Sequence, residues 1–280
     1  MPFKDIMVIV DSSKCCANRL DVAIQLATEH DAHLTGLFVR TTPHVPQFVM
    51  SQLGPEVAAA QRQWAEEACA EAKAAFDAKL AASGLRYEWR AVDGALIDQA
   101  TLHAKYTDLV VAGQFDTEGD MVDGQDQLID HLVLDAGRPV LVVPHSGTFK
   151  SVAKQVMVAW NGTREATRAV NDAMPLLEKA DKVNVVAVNP RGGHGRDGHG
   201  AIPSADLCLH LARHGVKADA QTIESHDMDV GNTLLSRLND EGVDLLVMGA
   251  YGRSRLRELV LGGATRHILR HMTVPVLMGH

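Results

Sequence analysis

The sequence predicts an α/β protein built from two tandem copies of one domain, each a parallel β-sheet with helices on both faces. Three observations predict it. The chain has 280 residues, more than the roughly 100–200 usual for one domain. Sequence segments recur in the same order in its two halves. Within each half, short apolar runs alternate with amphipathic stretches, the pattern of successive βαβ units.

The recurrence is specific. KDIMVIVDSS at 4–13 returns as KQVMVAWNGT at 154–163, 150 positions on. DLVVAG at 108–113 returns as DLLVMG at 244–249, and PVLVV at 139–143 returns as PVLM at 275–278, both 136 positions on. The halves meet in PHSGTFKSVAK at 144–154, a short polar segment with Pro and Gly suited to a linker. Domains are therefore expected over 1–146 and 152–280.

In the first half, strands are expected near 5–10, 33–39, 85–92, 108–112 and 139–143. Their counterparts lie near 155–160, 182–188, 216–223, 244–248 and 274–278. The runs are continuous and aliphatic rather than alternating, as in strands covered on both faces. Between them, Leu20, Ile24 and Ala27 mark one face of a helix over 17–30. The Ala-, Glu- and Gln-rich stretch 55–84 has helical propensity throughout and predicts a cover helix or an interaction surface. Parallel sheets of this kind bind ligands beyond the carboxyl ends of their strands, where the strand order reverses.

Composition narrows the function. A formal charge of −8 argues against nucleic-acid backbones and anionic membranes as partners. No apolar run approaches the ~20 residues that span a bilayer. The polar start, Met1 to Asp5, does not resemble a signal peptide, so a cytoplasmic location is expected. Cys15, Cys16, Cys69 and Cys208 lack zinc-site or disulfide spacing. The adjacent Cys15 and Cys16 admit a redox reading, but small packing residues at a helix start are the plainer one.

The main candidate for chemistry is Gly249, Gly252 and Gly262, a G-x2-G-x9-G pattern within GAYGRSRLRELVLGGATRHIL at 249–269. With 23 glycines in the chain, spacing alone is weak. Context carries more weight. The first glycine follows the apolar strand Asp244 to Met248, and the last precedes a helical pattern from Thr265 to His271. A strand–loop–helix of this kind presents backbone N–H groups and a positive helix end to an anion. A tight strand-to-helix connection is the plain alternative.

The segment GVDLLVMGAYGRSRLRELVLGG, followed by VPVLM, is similar to the universal stress protein family. The resemblance covers the second half well and the first half in architecture. It implies two flavodoxin-like or Rossmann-like domains, each with a five-stranded parallel sheet. It implies ATP or a related adenine nucleotide, with or without Mg²⁺, held by a G-x2-G-x9-G-[S/T] loop. An acidic residue at the end of the first strand and backbone at the end of the second complete the family's site. Carried over, these positions are Gly249, Gly252, Gly262 and Gly263, with Asn161 and Val188. Met248, Arg253, Ala264 and Thr265 flank them. By the same resemblance the two final strands, 139–143 and 274–278, pair with each other, and a homodimer is compatible.

Three departures stand out. Gly263 replaces the usual hydroxyl residue, and Thr265 is a candidate substitute. Asn161 replaces the usual aspartate. Trp160 precedes it and either stacks on a base or fills the pocket as a structural indole. Arg253 is placed to reach a terminal phosphate, while Arg255 and Arg257 read as solvated surface.

The first half departs further. Gly113 matches Gly249, but Asp116, Asp126 and Gln127 stand at the remaining loop positions. The stretch 113–127 carries five carboxylates, which oppose an anionic ligand. Asp11 survives alone, so this half is expected to be a packing partner for the second, or to bind something other than a nucleotide. GHGRDG at 193–198 matches a dinucleotide fingerprint by letter, but no helix follows it directly. His194 and His199 there, and His210 and His214 in a helical stretch, lack a third metal ligand. No catalytic constellation emerges, so ATP hydrolysis, if any, is expected to be slow. The alternative to nucleotide binding is a structural or interaction module of the same fold.

Overall fold

The structure is a computed structural model and describes residues 2–41, 55–115, 124–190, 204–225, 227–252 and 263–280. Ten strands form one sheet. In the first repeat these are β1 (Asp5–Val10), β2 (His33–Arg40), β3 (Tyr87–Asp93), β4 (Leu109–Gly113) and β5 (Val140–Val143). In the second they are β6 (Gln155–Ala159), β7 (Lys182–Val188), β8 (Ala218–Ile223), β9 (Leu245–Gly249) and β10 (Val276–Gly279). The helices are α1 (Cys16–His30), α2 (Pro55–Leu80), α3 (Leu96–Ala104) and α4 (Leu128–Asp135), then α5 (Arg164–Leu177), α6 (Ala205–Arg213), α7 (Val230–Asp240) and α8 (Gly263–His271).

The strand order is β3-β2-β1-β4-β5-β10-β9-β6-β7-β8, a palindrome of the two repeats. All pairings are parallel except one. β5 and β10 run antiparallel, with Leu277 opposite Leu141 and Val276 opposite Val142. The two expected five-stranded sheets are thus joined edge to edge into one. Val140 to Val143 and Val276 to Met278 are fully buried at this seam.

The repeated Asp-Leu dipeptides have a structural reason. Asp108 accepts hydrogen bonds from the backbone N–H groups of Lys4 and Asp5 at 2.7 and 3.1 Å. Asp244 does the same for Lys154 and Gln155 at 3.1 and 2.9 Å. Each aspartate therefore pins the start of its repeat's first strand beside its fourth.

Helices cover both faces. Leu20, Phe76, Val170 and Leu211, from α1, α2, α5 and α6, share one core. Ala104, Leu132, Leu238 and Ile268, from α3, α4, α7 and α8, share the other. The outermost strands differ from the expected aliphatic pattern. β3 (YEWRAVD) and β8 (ADAQTI) are largely half-buried or exposed, because an edge strand has no neighbour on one side and meets water.

Candidate functional site

Each repeat has one topological switch point, between β1 and β4 in the first and between β6 and β9 in the second. The candidate residues gather at the carboxyl ends of these strands, and the two crevices are built differently.

In the second repeat, Asn161 follows β6. Its Oδ1 accepts hydrogen bonds from the Thr163 backbone N–H (3.3 Å) and hydroxyl (2.8 Å). Thr163 in turn caps α5, its Oγ1 accepting from the Ala166 N–H at 3.3 Å. Asn161 thus sets the entry to α5 with its carbonyl side. Trp160 is half-buried against the α5–α6 core, whereas Val188 and Met248 contribute to the opposite core. The indole therefore packs on a different face from Val188 and Met248.

Gly249 ends β9. A Cβ there would lie 2.5 Å from the Glu165 carbonyl carbon and closer still to the Ala166 nitrogen. This glycine is required because the first turn of α5 lies directly against the strand. Gly252 and Gly263 are different. Among the described residues, a Cβ at Gly252 would meet only Glu165 Oε2, at 3.7 Å, and one at Gly263 would meet nothing within 4 Å. Gly263 and Ala264 open α8 at positions with solvent access, while Thr265 is buried on the same side of the helix as Ile268. Gly262, Arg253, Arg255 and Arg257 lie outside the described residues, as do Asp116, the GHGRDG segment, His194 and His199.

Sequence reasoning missed Glu165. Its side chain is 7% exposed with Oε1 3.5 Å from Arg164 Nε, and among the described residues Oε2 is buried without a hydrogen-bond partner beside Gly252. The only available signal was its place in the first turn after a capping threonine. It missed Tyr251 as well, which adopts φ 54° within the glycine segment. The Tyr251 hydroxyl donates to the Asp130 carboxylate on α4 of the first repeat. Gln114 adds a second bond between repeats, its Nε2 donating to the Leu269 carbonyl at the end of α8 at 2.8 Å.

In the first repeat, Asp11 makes the same turn as Asn161, accepting from the Ser13 backbone N–H at 3.0 Å and from the Ser13 hydroxyl. It carries a further load. Its Oδ2 lies 2.8 Å from Arg19, whose side chain is 5% exposed. Burial alone would raise the Asp11 pKa, but Arg19 and the Ser13 hydrogen bonds outweigh it and hold the carboxyl below its usual range. The Arg19 guanidinium occupies the space that a Cβ on Gly113 would need, with Cζ 3.2 Å from that point. At the next strand end, Arg40 forms a bidentate pair with Asp93 at 2.7 and 3.0 Å. By strand register Arg40 corresponds to Asn189, which bonds Ser225 through both its amide nitrogen and its oxygen.

The decoy positions resolve plainly. Cys16 is buried at the start of α1, and Cys15 stands at its N-cap position without a side-chain capping bond. The His210 and His214 rings lie 4.8 Å apart on and just past α6, and no group of three metal-ligating side chains occurs among the described residues.

Fold and crevices together define a class: a duplicated, doubly wound α/β protein with one switch-point crevice per repeat. The family model described as "Universal stress protein family" matches residues 2–144 and 153–280. The chain belongs to the universal stress protein family. It is similar to universal stress protein Slr1230 of Synechocystis, 26% identical over 150 residues, which are 53% of this chain and 49% of that protein. The match thus spans about half of that relative's length. Among solved structures, a universal stress protein from Archaeoglobus fulgidus superposes with a TM-score of 0.73 at 15% identity, covering 98% of this chain and 96% of that one. One from Pseudomonas aeruginosa gives 0.61 at 15% identity, covering 99% and 93%. At these identities the two structures speak for the fold alone. No described helix is long and apolar enough to cross a membrane.

Proposed function

We propose that the second repeat, residues 152–280, binds one adenine nucleotide, ATP or a close relative, and that the first, 1–146, is a degenerate copy without that site. The observation that carries this reading is that, among the described residues, almost nothing crowds Gly252 at the end of β9 or Gly263 at the exposed start of α8. Backbone N–H groups without a Cβ beside them suit phosphate oxygens, and the helix end favours negative charge. Gly249, Gly252, Gly263 and Ala264 are read as the phosphate side, flanked in sequence by Met248 and Thr265, and the sequence pattern alone adds Arg253 and Gly262, which lie outside the described residues. Asn161 and Val188 form the nucleoside side. Within Asn161 only the amide nitrogen is left for a ligand, since the oxygen is taken by Thr163.

Glu165 bears on the form of the ligand. A buried carboxylate oxygen beside Gly252 opposes a bare phosphate and suits a divalent cation carried between the two. The nucleotide is therefore read as its Mg²⁺ complex. The function proposed is binding, with nucleotide occupancy as the regulated state.

Calorimetry on the intact protein with ATP, ADP and AMP, each with and without Mg²⁺, tests this. Saturable one-to-one binding that requires Mg²⁺ and disappears in Gly252→Asp, which copies Asp116 of the first repeat, is expected. No heat at millimolar nucleotide in either condition overturns the reading in favour of a structural module.

A further inference from the structure

The first repeat holds a cavity of about 280 Å³ at the carboxyl ends of β1, β2 and β4. Its walls are chiefly apolar, with Phe38 and Val39 from β2, Leu96 from α3 and Leu128 from α4. One side of the mouth is the α2 indole of Trp64, which is 67% exposed. An aromatic ring left in water at the lip of an apolar cavity is a stacking surface.

The charges in this cavity are already matched. Asp11 faces Arg19 and Asp93 faces Arg40, so neither guanidinium is available to an incoming anion without displacing its own carboxylate. The other polar groups of the lining, such as Ser12, Thr41 and Gln61, are neutral, and among the described residues Arg19 Nε is buried with no hydrogen-bond partner. A ligand phosphate would lose its water and gain no free cation. A neutral ring system with one hydrogen-bond acceptor would lose little and satisfy the orphan donor.

We propose that the first repeat is a second binding site of different chemistry, taking a neutral aromatic molecule of about two rings with an oxygen acceptor. The size follows from volume: an apolar cavity of about 150 Å³ takes one benzene ring, and this one is nearly twice as large. The second repeat cannot offer the same site. By register, Trp160 stands where the first repeat has Val10, and Ala169 stands where it has Arg19. The inference is therefore independent of nucleotide binding in the second repeat.

The test uses the intact protein with 2-naphthol, whose fluorescence reports shielding from water, and 2-naphthyl phosphate as the matched anion. Saturable one-to-one binding of 2-naphthol is expected, about tenfold or more tighter than that of the phosphate, and unaffected by saturating ATP. Ala68→Phe, which fills the cavity from α2, should abolish it. Trp64→Ala changes a side chain that lies mostly in solvent, so folding is not at stake, and should weaken binding several-fold. Equal or tighter binding of the phosphate overturns the proposal. So does the absence of saturation with 2-naphthol, or binding that neither substitution changes.

Discussion

The two repeats solve the same problem, how to end β1 and β4 beside the first helix, with opposite chemistry. In the second repeat the solution is close approach of backbone: Gly249 lies against the first turn of α5, and Asn161 and Ala169 are neutral. In the first, the helix stands off behind a buried ion pair, with Arg19 filling the gap over Gly113 and Asp11 holding it there. Among the described residues, one crevice leaves the space beside Gly252 and Gly263 nearly clear. The other spends its polar groups internally and leaves an apolar cavity. Duplicated folds can thus diverge in how a crevice is packed through two or three positions that never leave the interior.

Substituting the two equivalent glycines should break the symmetry most visibly. Gly249→Ala drives a methyl into helix backbone and is expected to destabilise by about 3 kcal/mol, while Gly113→Ala displaces only the end of a side chain and costs about 1 kcal/mol. Urea titrations of both variants measure the difference, and equal losses would remove the distinction drawn here. Next in size is Arg19→Ala, which strands Asp11. Asp11 is partly solvated, so the expected loss is about 2 kcal/mol rather than the larger figure for a fully buried pair. The double variant Arg19→Ala with Asp11→Asn copies the second repeat and should recover at least half of that loss. If it is no better than the single variant, the pairing is not what stabilises this end of the sheet. Because the folded Asp11 pKa lies below its unfolded value, its contribution is present above the unfolded pKa and is lost as pH falls through the folded one.

His30 supplies a pH effect that the second repeat lacks, since Ala180 stands at the matching position. Burial, then Lys179 and Lys4, push its pKa down to about 4, and both ring nitrogens are buried without partners. Below the unfolded pKa near 6.5 the unfolded chain takes up a proton that the folded one refuses. Stability should therefore decline from about pH 6.5 to pH 4, by about 2 kcal/mol at pH 5. His30→Leu should remove that slope, and thermal melts at pH 7.5 and 5.0 would show it. A slope unchanged in the variant would assign the effect elsewhere. The smallest effect is expected from Tyr251→Phe, which removes the hydroxyl bridge to Asp130 at a cost of about 1 kcal/mol. Its signature is a broader unfolding transition as the repeats lose one tie. A transition of unchanged width would show that the bridge does not couple them.

Much of the architecture was legible because the repeat made each segment testify twice. KDIMVIVDSS and KQVMVAWNGT marked two first strands, and DLVVAG and DLLVMG marked two fourth strands, though not the aspartate clamps that the structure adds. The edge strands were less legible, because β3 and β8 carry polar residues wherever the outer face meets water. The second crevice was visible through its glycines, yet the reason for Gly249 was not: the sequence pattern suggested a ligand, and the structure adds the first turn of α5. Arg19 was invisible for a physical reason. A charged residue beside Leu20 in an amphipathic helix reads as surface, and its partner Asp11 is brought to it only by the turn between β1 and α1. Glu165 and the Tyr251–Asp130 bridge were hidden in the same way, by contacts that exist only once the chain has folded over itself.

The antiparallel seam between β5 and β10 has a consequence for concentration. A lone repeat would end in an open β5 edge, able to meet another chain only as often as dilution allows. Here the complementary edge is tethered, at an effective concentration that short linkers place in the millimolar range. Neither dilution nor a competing chain readily opens a joint whose two sides travel together. The strands left at the ends of the sheet, β3 and β8, are its polar ones, so the growth of the sheet stops at ten strands.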